Sequence, residues 1–218
     1  MARVAVLGGS FNPVHYGHLL LADDVLERLG LAGVLFVPAA VPPHKPAAQL
    51  APAADRLEMV RVAIAGHPRF AVSNLEVRRA GLSYTVDTLQ ALATAGDALF
   101  LVIGSETFLD LLSWREPRRV ASLARLVVIP RAGSAFDPES EAAQKVLRAI
   151  GVEGGFVHAA EGHDVPPRGV IVVHAASLPL SASELRRRVR EERSLAFRVP
   201  PAVVEYIRAH RLYRTEPA

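Results

Sequence analysis

The sequence predicts an α/β fold: a doubly wound parallel sheet with helices on both faces and a short helical part at the C-terminus. Three observations carry this. Short apolar, β-branched runs alternate with helical patterns along the chain, as in a sheet buried on both sides. Several of those runs end in turns built from glycine, proline and serine. At 218 residues, 50% of them hydrophobic, the chain is long enough for one ordinary core. A single domain over 1–218 is therefore expected, with a Rossmann-like sheet core over about 1–180 and C-terminal helices over about 181–214.

The first strand is Val4-Ala5-Val6-Leu7, and the helix after it repeats Leu19, Ala22, Val25, Leu26 and Leu29 at spacings of three and four. Residues 33–38 read as a second strand and 41–46 as a proline-rich loop. Asp55 is expected to cap a helix whose inner face holds Leu57, Val60 and Ile64. Residues 70–73 form a short third strand and 74–81 a charged connection, and Ser83 opens a helix carrying Val86, Leu89 and Leu92. The most apolar run, 98–103, is read as a central strand ending at Gly104-Ser105-Glu106, with Trp114 one short helix later. Residues 126–129 are the next strand. The signal weakens over 132–169, where a helix over 138–150 lies between glycine- and proline-rich loops and mobility or variable structure is expected. A last strand at 171–173 leads to two helices separated at Pro200-Pro201.

Composition narrows the function classes. A net charge of +3 is too small to imply a nucleic-acid binder, and no apolar run reaches the length of a membrane span. The absence of cysteine excludes disulfides and thiolate zinc sites and fits a reducing compartment. The N-terminus enters a strand at once, leaving no room for a signal peptide. A soluble cytoplasmic protein with small-molecule partners, and neither nucleic acid nor membrane, is the expectation. A homo-oligomer stays open.

The stretch from Gly8 to His18, Gly-Gly-Ser-Phe-Asn-Pro-Val-His-Tyr-Gly-His, joins the first strand to the first helix. Strand, glycine-rich turn and helix N-terminus together cradle phosphate, because bare backbone approaches the anion and the first-turn N–H groups are unpaired. His15 and His18 stand three residues apart and can face one anion, and Gly17 between them leaves room for it. The lysine-serine/threonine ending of a P-loop is missing, and the glycine spacing is not that of a dinucleotide fingerprint. This frame resembles the signature of the nucleotidylyltransferase superfamily, whose H-x-G-H motif grips the phosphates of ATP or CTP. The resemblance puts Gly8, Gly9, Ser10, Phe11, His15 and His18 at the nucleotide.

Three further turns follow strands and should share one edge of the sheet, beyond the carboxyl ends at the switch point in strand order. Pro43-His44-Lys45 lies on a proline-stiffened loop, where Lys45 is either solvated or a phosphate clamp. Gly104 and Glu106 follow the central strand. Ser181-Ala182-Ser183-Glu184 has the spacing of a capping box, but Arg186 in the first turn works against the helix dipole unless an anion lies nearby. Arg187, Arg188 and Arg190 read as a solvated face. The segment is similar to the superfamily's closing motif, serine-x-serine/threonine-x-x-arginine, which implies that Ser181, Ser183 and Arg186 hold the triphosphate.

Pro-Pro-His-Lys-Pro, Leu82-Ser83-Tyr84-Thr85-Val86-Asp87-Thr88-Leu89, Ile103-Gly104, Trp114-Arg115 and the C-terminal Leu212-Tyr213-Arg214 together resemble bacterial nicotinate-nucleotide adenylyltransferases. The resemblance spans nearly the whole chain and is weak over about 133–169. It implies transfer of AMP from ATP to nicotinate mononucleotide, with Mg2+ carried by the ATP phosphates and no protein metal ligand. His18, His15 and Lys45 would be catalytic. His44, Lys45, Tyr84, Thr85, Trp114 and Arg115 would bind the acceptor, with the indole stacked on its ring; a partly buried packing aromatic is the lesser reading of Trp114. Glu106 stands where the family usually has aspartate. Rival readings are another acceptor, such as nicotinamide mononucleotide or phosphopantetheine, and a non-catalytic nucleotide-binding module. His158, His163 and Asp164 offer a weaker metal-binding reading.

Overall fold

A computed structural model describes residues 2–43, 50–79, 81–93, 96–130, 136–159 and 168–214. Its 7-stranded sheet is parallel at every pairing, in the order β3-β2-β1-β4-β5-β7-β6. The strands are β1 (Arg3–Gly9), β2 (Gly33–Pro38), β3 (Phe70–Val72), β4 (Ala98–Gly104), β5 (Arg125–Ile129), β6 (Phe156–His158) and β7 (Val170–Val172). Strand order reverses between β1 and β4, so the carboxyl ends of β1, β2, β4 and β7 open on one edge around that switch point.

The helices are α1 (Tyr16–Arg28), α2 (Ala53–Ile64), α3 (Leu75–Arg78), α4 (Thr85–Ala93), α5 (Ser105–Leu109), α6 (Pro117–Leu123), α7 (Glu141–Ile150), α8 (Ala182–Arg190) and α9 (Pro201–Ala209). Period-2 alternation divides the core into two layers. Ala5, Leu7, Phe100, Val102, Val127 and Ile129 face α1, α2, α8 and α9. Val6, Leu99, Leu101, Ile103, Leu126 and Val128 face α4 to α7. Helices thus cover both faces, as the alternating pattern requires.

Several local expectations are corrected. Helix α2 starts after Pro52, and Asp55 sits inside its first turn, where its carboxylate accepts the Tyr206 hydroxyl at 2.8 Å rather than capping. The buried face of α2 is Arg56, Met59, Val60 and Ile64, with Leu57 only half-buried. The charged connection contains α3, and α4 opens at Thr85 rather than Ser83. Helix α7 begins at Glu141 behind the Ser140 cap. Helix α6 and strand β6 went unanticipated, and β6 extends the sheet past the strand read as last.

Gly33 begins β2 where the chain before β3 crosses closely. The Arg69 carbonyl accepts the Val34 N–H at 2.9 Å, and a Cβ on Gly33 would stand 2.9 Å from that oxygen. Gly33→Ala should therefore lower unfolding free energy by about 1–3 kcal/mol. Urea denaturation checks this; an unchanged midpoint at unchanged m would mean that the backbone there yields freely.

Candidate active site

The glycines of the first motif lie in the sheet. Gly8 and Gly9 are the last residues of β1 and pair with Val37 and Pro38. Gly8 is exposed, with nothing within 4 Å of a built Cβ, so bare backbone lines the edge there. A Cβ on Gly9 would stand 3.3 Å from the Phe11 ring. Phe11, at φ 43 and 2% exposed, turns into the core against Phe36, and its ring meets the His18 ring edge-on at 5.1 Å. Its side chain is a floor under the motif; only its backbone can face a ligand.

His15 precedes α1 in extended conformation, and its carbonyl accepts the His18 N–H at 2.9 Å. The His15 N–H donates to His18 Nδ1 at 3.3 Å, and the two rings stack with centroids 3.8 Å apart. Because Nδ1 accepts, the neutral His18 ring carries its proton on Nε2, a tautomer inferred from this bond. His15 is buried, its Nδ1 has no hydrogen-bond partner, and burial pushes its pKa down to about 4. It is therefore neutral at physiological pH, with a buried nitrogen unsatisfied by the protein. At His15 the motif thus offers an imidazole rather than imidazolium charge, beside first-turn N–H groups.

Arginine supplies the charge. Ser181 caps α8 by accepting the Glu184 N–H at 3.2 Å, but the Glu184 carboxylate turns to Arg187 at 2.6 Å, so only half of the expected capping box forms. Arg186, one turn into the helix rather than in its first turn, reaches across to the first motif. Its Nη1 donates to the Asn12 carbonyl at 2.8 Å and its Nη2 to Ser183 Oγ at 3.2 Å. Partial burial lowers its pKa. Arg188 is not on a solvated face: it is buried and donates to the Ser194 carbonyl at 2.8 Å.

The residue that sequence reasoning missed is Arg56. At 1% exposed, its guanidinium donates to the carbonyls of Ala51 (2.8 Å), Ser10 (2.8 Å), Ala39 (2.6 Å) and Ala40 (2.9 Å). No carboxylate pairs with it among the described residues, and burial lowers its pKa. Its signal was in the pattern: Arg56, Val60 and Ile64 recur every four residues on an otherwise apolar face. Asn12, 2% exposed, adds a second junction, its Oδ1 accepting the Ala51 N–H at 3.0 Å and the Tyr213 hydroxyl at 2.9 Å.

On the other side, Arg115 lies over the Tyr84 ring at 5.0 Å, with its Nη1 3.6 Å from Asp87 Oδ2. That joins the start of α4, where Thr85 is the first residue, to Trp114 after the 3-10 turn Leu111–Ser113. Trp114 is half-buried against the core layer of α4 to α7. Ser83 ties this side to the loop after β2, its Oγ accepting the N–H groups of Ala40 (3.1 Å) and Val41 (3.4 Å). Gly104 ends β4, and Glu106 is exposed in the first turn of α5. His44 and Lys45 lie outside the described residues, as do His163 and Asp164; among the described residues no group of three acidic, histidine or cysteine side chains could hold a metal, His158 included. Nor is any helix there long and apolar enough to cross a membrane.

The sequence profile of the cytidylyltransferase-like family matches residues 6–188. A protein of Synechococcus sp. (strain JA-2-3B'a(2-13)), named "Probable nicotinate-nucleotide adenylyltransferase", is 41% identical over 97% of this chain and 96% of its own length. A protein of the same name from Geotalea daltonii is 41% identical over 97% of this chain and 98% of its own. Among solved structures, Plasmodium falciparum nicotinic acid mononucleotide adenylyltransferase complexed with NaAD superposes with a TM-score of 0.72 at 18% identity, covering 99% of both chains.

Gly17 separates stability from site geometry. A Cβ there would stand 3.0 Å from His15 Nδ1 and 3.1 Å from its Cε1, pressing that ring into the His18 stack. Alanine otherwise favours helix over glycine by about 1 kcal/mol. Gly17→Ala should leave the thermal midpoint unchanged or raised while weakening binding of inorganic triphosphate about tenfold, read by calorimetry. Unchanged triphosphate affinity in the folded variant would remove the histidine pair from the anion site.

Proposed function

The chain belongs to the cytidylyltransferase-like family and, within it, to the nicotinate-nucleotide adenylyltransferases, enzymes of NAD biosynthesis, and on that premise we propose how its residues divide the transfer of AMP from ATP to nicotinate mononucleotide. One observation supports the division above others: a stacked histidine pair at the head of α1 and the Arg186 guanidinium meet on one loop, residues 12–18. Their N–H groups are donors, a set suited to phosphate oxygens.

A phosphate oxygen of the mononucleotide attacks the α-phosphorus of ATP, a new P–O bond forms in line, and the bond to pyrophosphate breaks. The nucleophile is already an anion, so no general base is required. The protein's work is to hold two repelling phosphates in line and to meet charge as it develops. His18, through Nε2–H, is the main donor to the transferring phosphoryl group; His15 holds its ring and adds its own N–H; Arg186 and Ser183 hold the triphosphate. Gly8 and Gly9 let backbone approach it, with Ser10, Ser181, Gly104 and Glu106 around the nucleotide. Lys45 with His44 is assigned to the acceptor phosphate, and Thr85, Tyr84, Trp114 and Arg115 to the nicotinate end.

Mg2+ fits this scheme as a companion of the triphosphate. His15, His18 and Arg186 present N–H groups, which repel a cation and attract the phosphates that carry it. When bound, the ion neutralises phosphate charge.

The acid should be preferred over the amide. Main-chain N–H donors give a carboxylate charge-assisted bonds, whereas an amide N–H2 would face another donor and leave buried groups unpaired. With ATP and Mg2+ fixed, kcat/KM for nicotinate mononucleotide should exceed that for nicotinamide mononucleotide by on the order of a hundredfold. A ratio near one would contradict the pocket assignment. Failure of both acceptors would contradict the function.

A further inference from the structure

The C-terminal segment carries a tyrosine that the transfer scheme leaves unused. After α9 the chain takes the left-handed region twice without glycine, at Arg211 (φ 52) and Tyr213 (φ 62). A non-glycine residue stays there only when its surroundings over-determine it. The Leu212 N–H donates to the Ile207 carbonyl at 3.0 Å, which folds the segment back on the helix. Tyr213 is thereby turned inward, and its hydroxyl donates to Asn12 Oδ1 at 2.9 Å. Burial raises the phenol's pKa, although the guanidiniums of Arg56 and Arg186 are close enough to oppose that rise. The hydroxyl therefore stays a neutral donor between two cations.

That bond meets the nucleotide loop at its most shared residue. The same Asn12 Oδ1 accepts the Ala51 N–H, and the Asn12 carbonyl accepts Arg186 Nη1. An amide oxygen with two donors fixes the Asn12 side chain, and through it the peptide on which Arg186 rests. The Tyr213–Asn12 pair is neutral, so it orients the loop without cancelling charge meant for phosphate.

We propose that Tyr213 is a positioning residue for the triphosphate: its hydroxyl sets Asn12, and Asn12 sets Arg186. The inference rests on the reading of this loop as the ATP site. Tyr213→Phe keeps the ring and removes the bond. It should raise KM for ATP about three- to tenfold, the scale of one lost buried hydrogen bond, and leave KM for nicotinate mononucleotide within about twofold. Hydrogen exchange at the Ala51 amide should quicken by a similar factor, while the Ala39 amide, bonded to the Gly9 carbonyl at 2.9 Å, stays as it was. Equal rises in both KM values, or unchanged ATP kinetics with an unchanged Ala51 amide, would overturn the proposal. If the unaltered protein transferred no AMP, the functional reading would fail, and quickened exchange at Ala51 with unaltered affinity for ATP in Tyr213→Phe would still contradict the inference.

Discussion

One buried cation orders the carboxyl edge of this sheet. Arg56 donates to the carbonyls of Ser10 in the loop after β1, Ala39 and Ala40 after β2, and Ala51 before its own helix. These carbonyls belong to turns that leave a parallel sheet, where the ladder has ended and oxygens need donors from elsewhere. A guanidinium, planar with five N–H groups, can serve several of them at once; a lysine ammonium, with three donors at one point, cannot match that fork. Burying such a charge with no carboxylate beside it among the described residues is costly and is offset here by the number of oxygens that meet it.

The same choice shapes the electrostatics. A carboxylate against Arg56 or Arg186 would neutralise their charge, and the bonds found on both are to carbonyls and a hydroxyl. The histidines complete this logic: burial keeps His15 uncharged, and the His15 N–H holds the His18 ring by its Nδ1. Neutral rings stacked at 3.8 Å repel little, whereas two imidazoliums at that distance would push apart. Charge comes from arginine and direction from imidazole.

Much of the fold was legible, since strands buried on both faces show as apolar runs and helices as three-four spacing. What escaped was short or polar. Strand β6 has only Phe156, Val157 and His158, next to glycines, and α6 carries Arg118 and Arg119 in its first turn. Of the candidate site, the glycine-histidine frame and the Ser183–Arg186 spacing could be read because they are local sequence patterns, although the bond from Arg186 to the Asn12 carbonyl is not. Arg56 and Tyr213 could not be read in this way: both act on backbone or amide oxygens that lie tens of residues away, and the tertiary fold supplies those partners. Arg188 misled for a different reason: its partner, the Ser194 carbonyl, is near in sequence but is brought to it only by the turn after α8.

The central claim is that Arg56 holds the donor and acceptor sides of the site together. Calorimetric binding of ATP and of nicotinate mononucleotide to Arg56→Lys, in a variant shown by circular dichroism to be folded, tests it most directly. The account predicts that both affinities fall together, each by about tenfold, because Ser10 on one side and Ala39–Ala40 on the other lose the same donor. A folded variant that binds both substrates as tightly as the unaltered protein would contradict it.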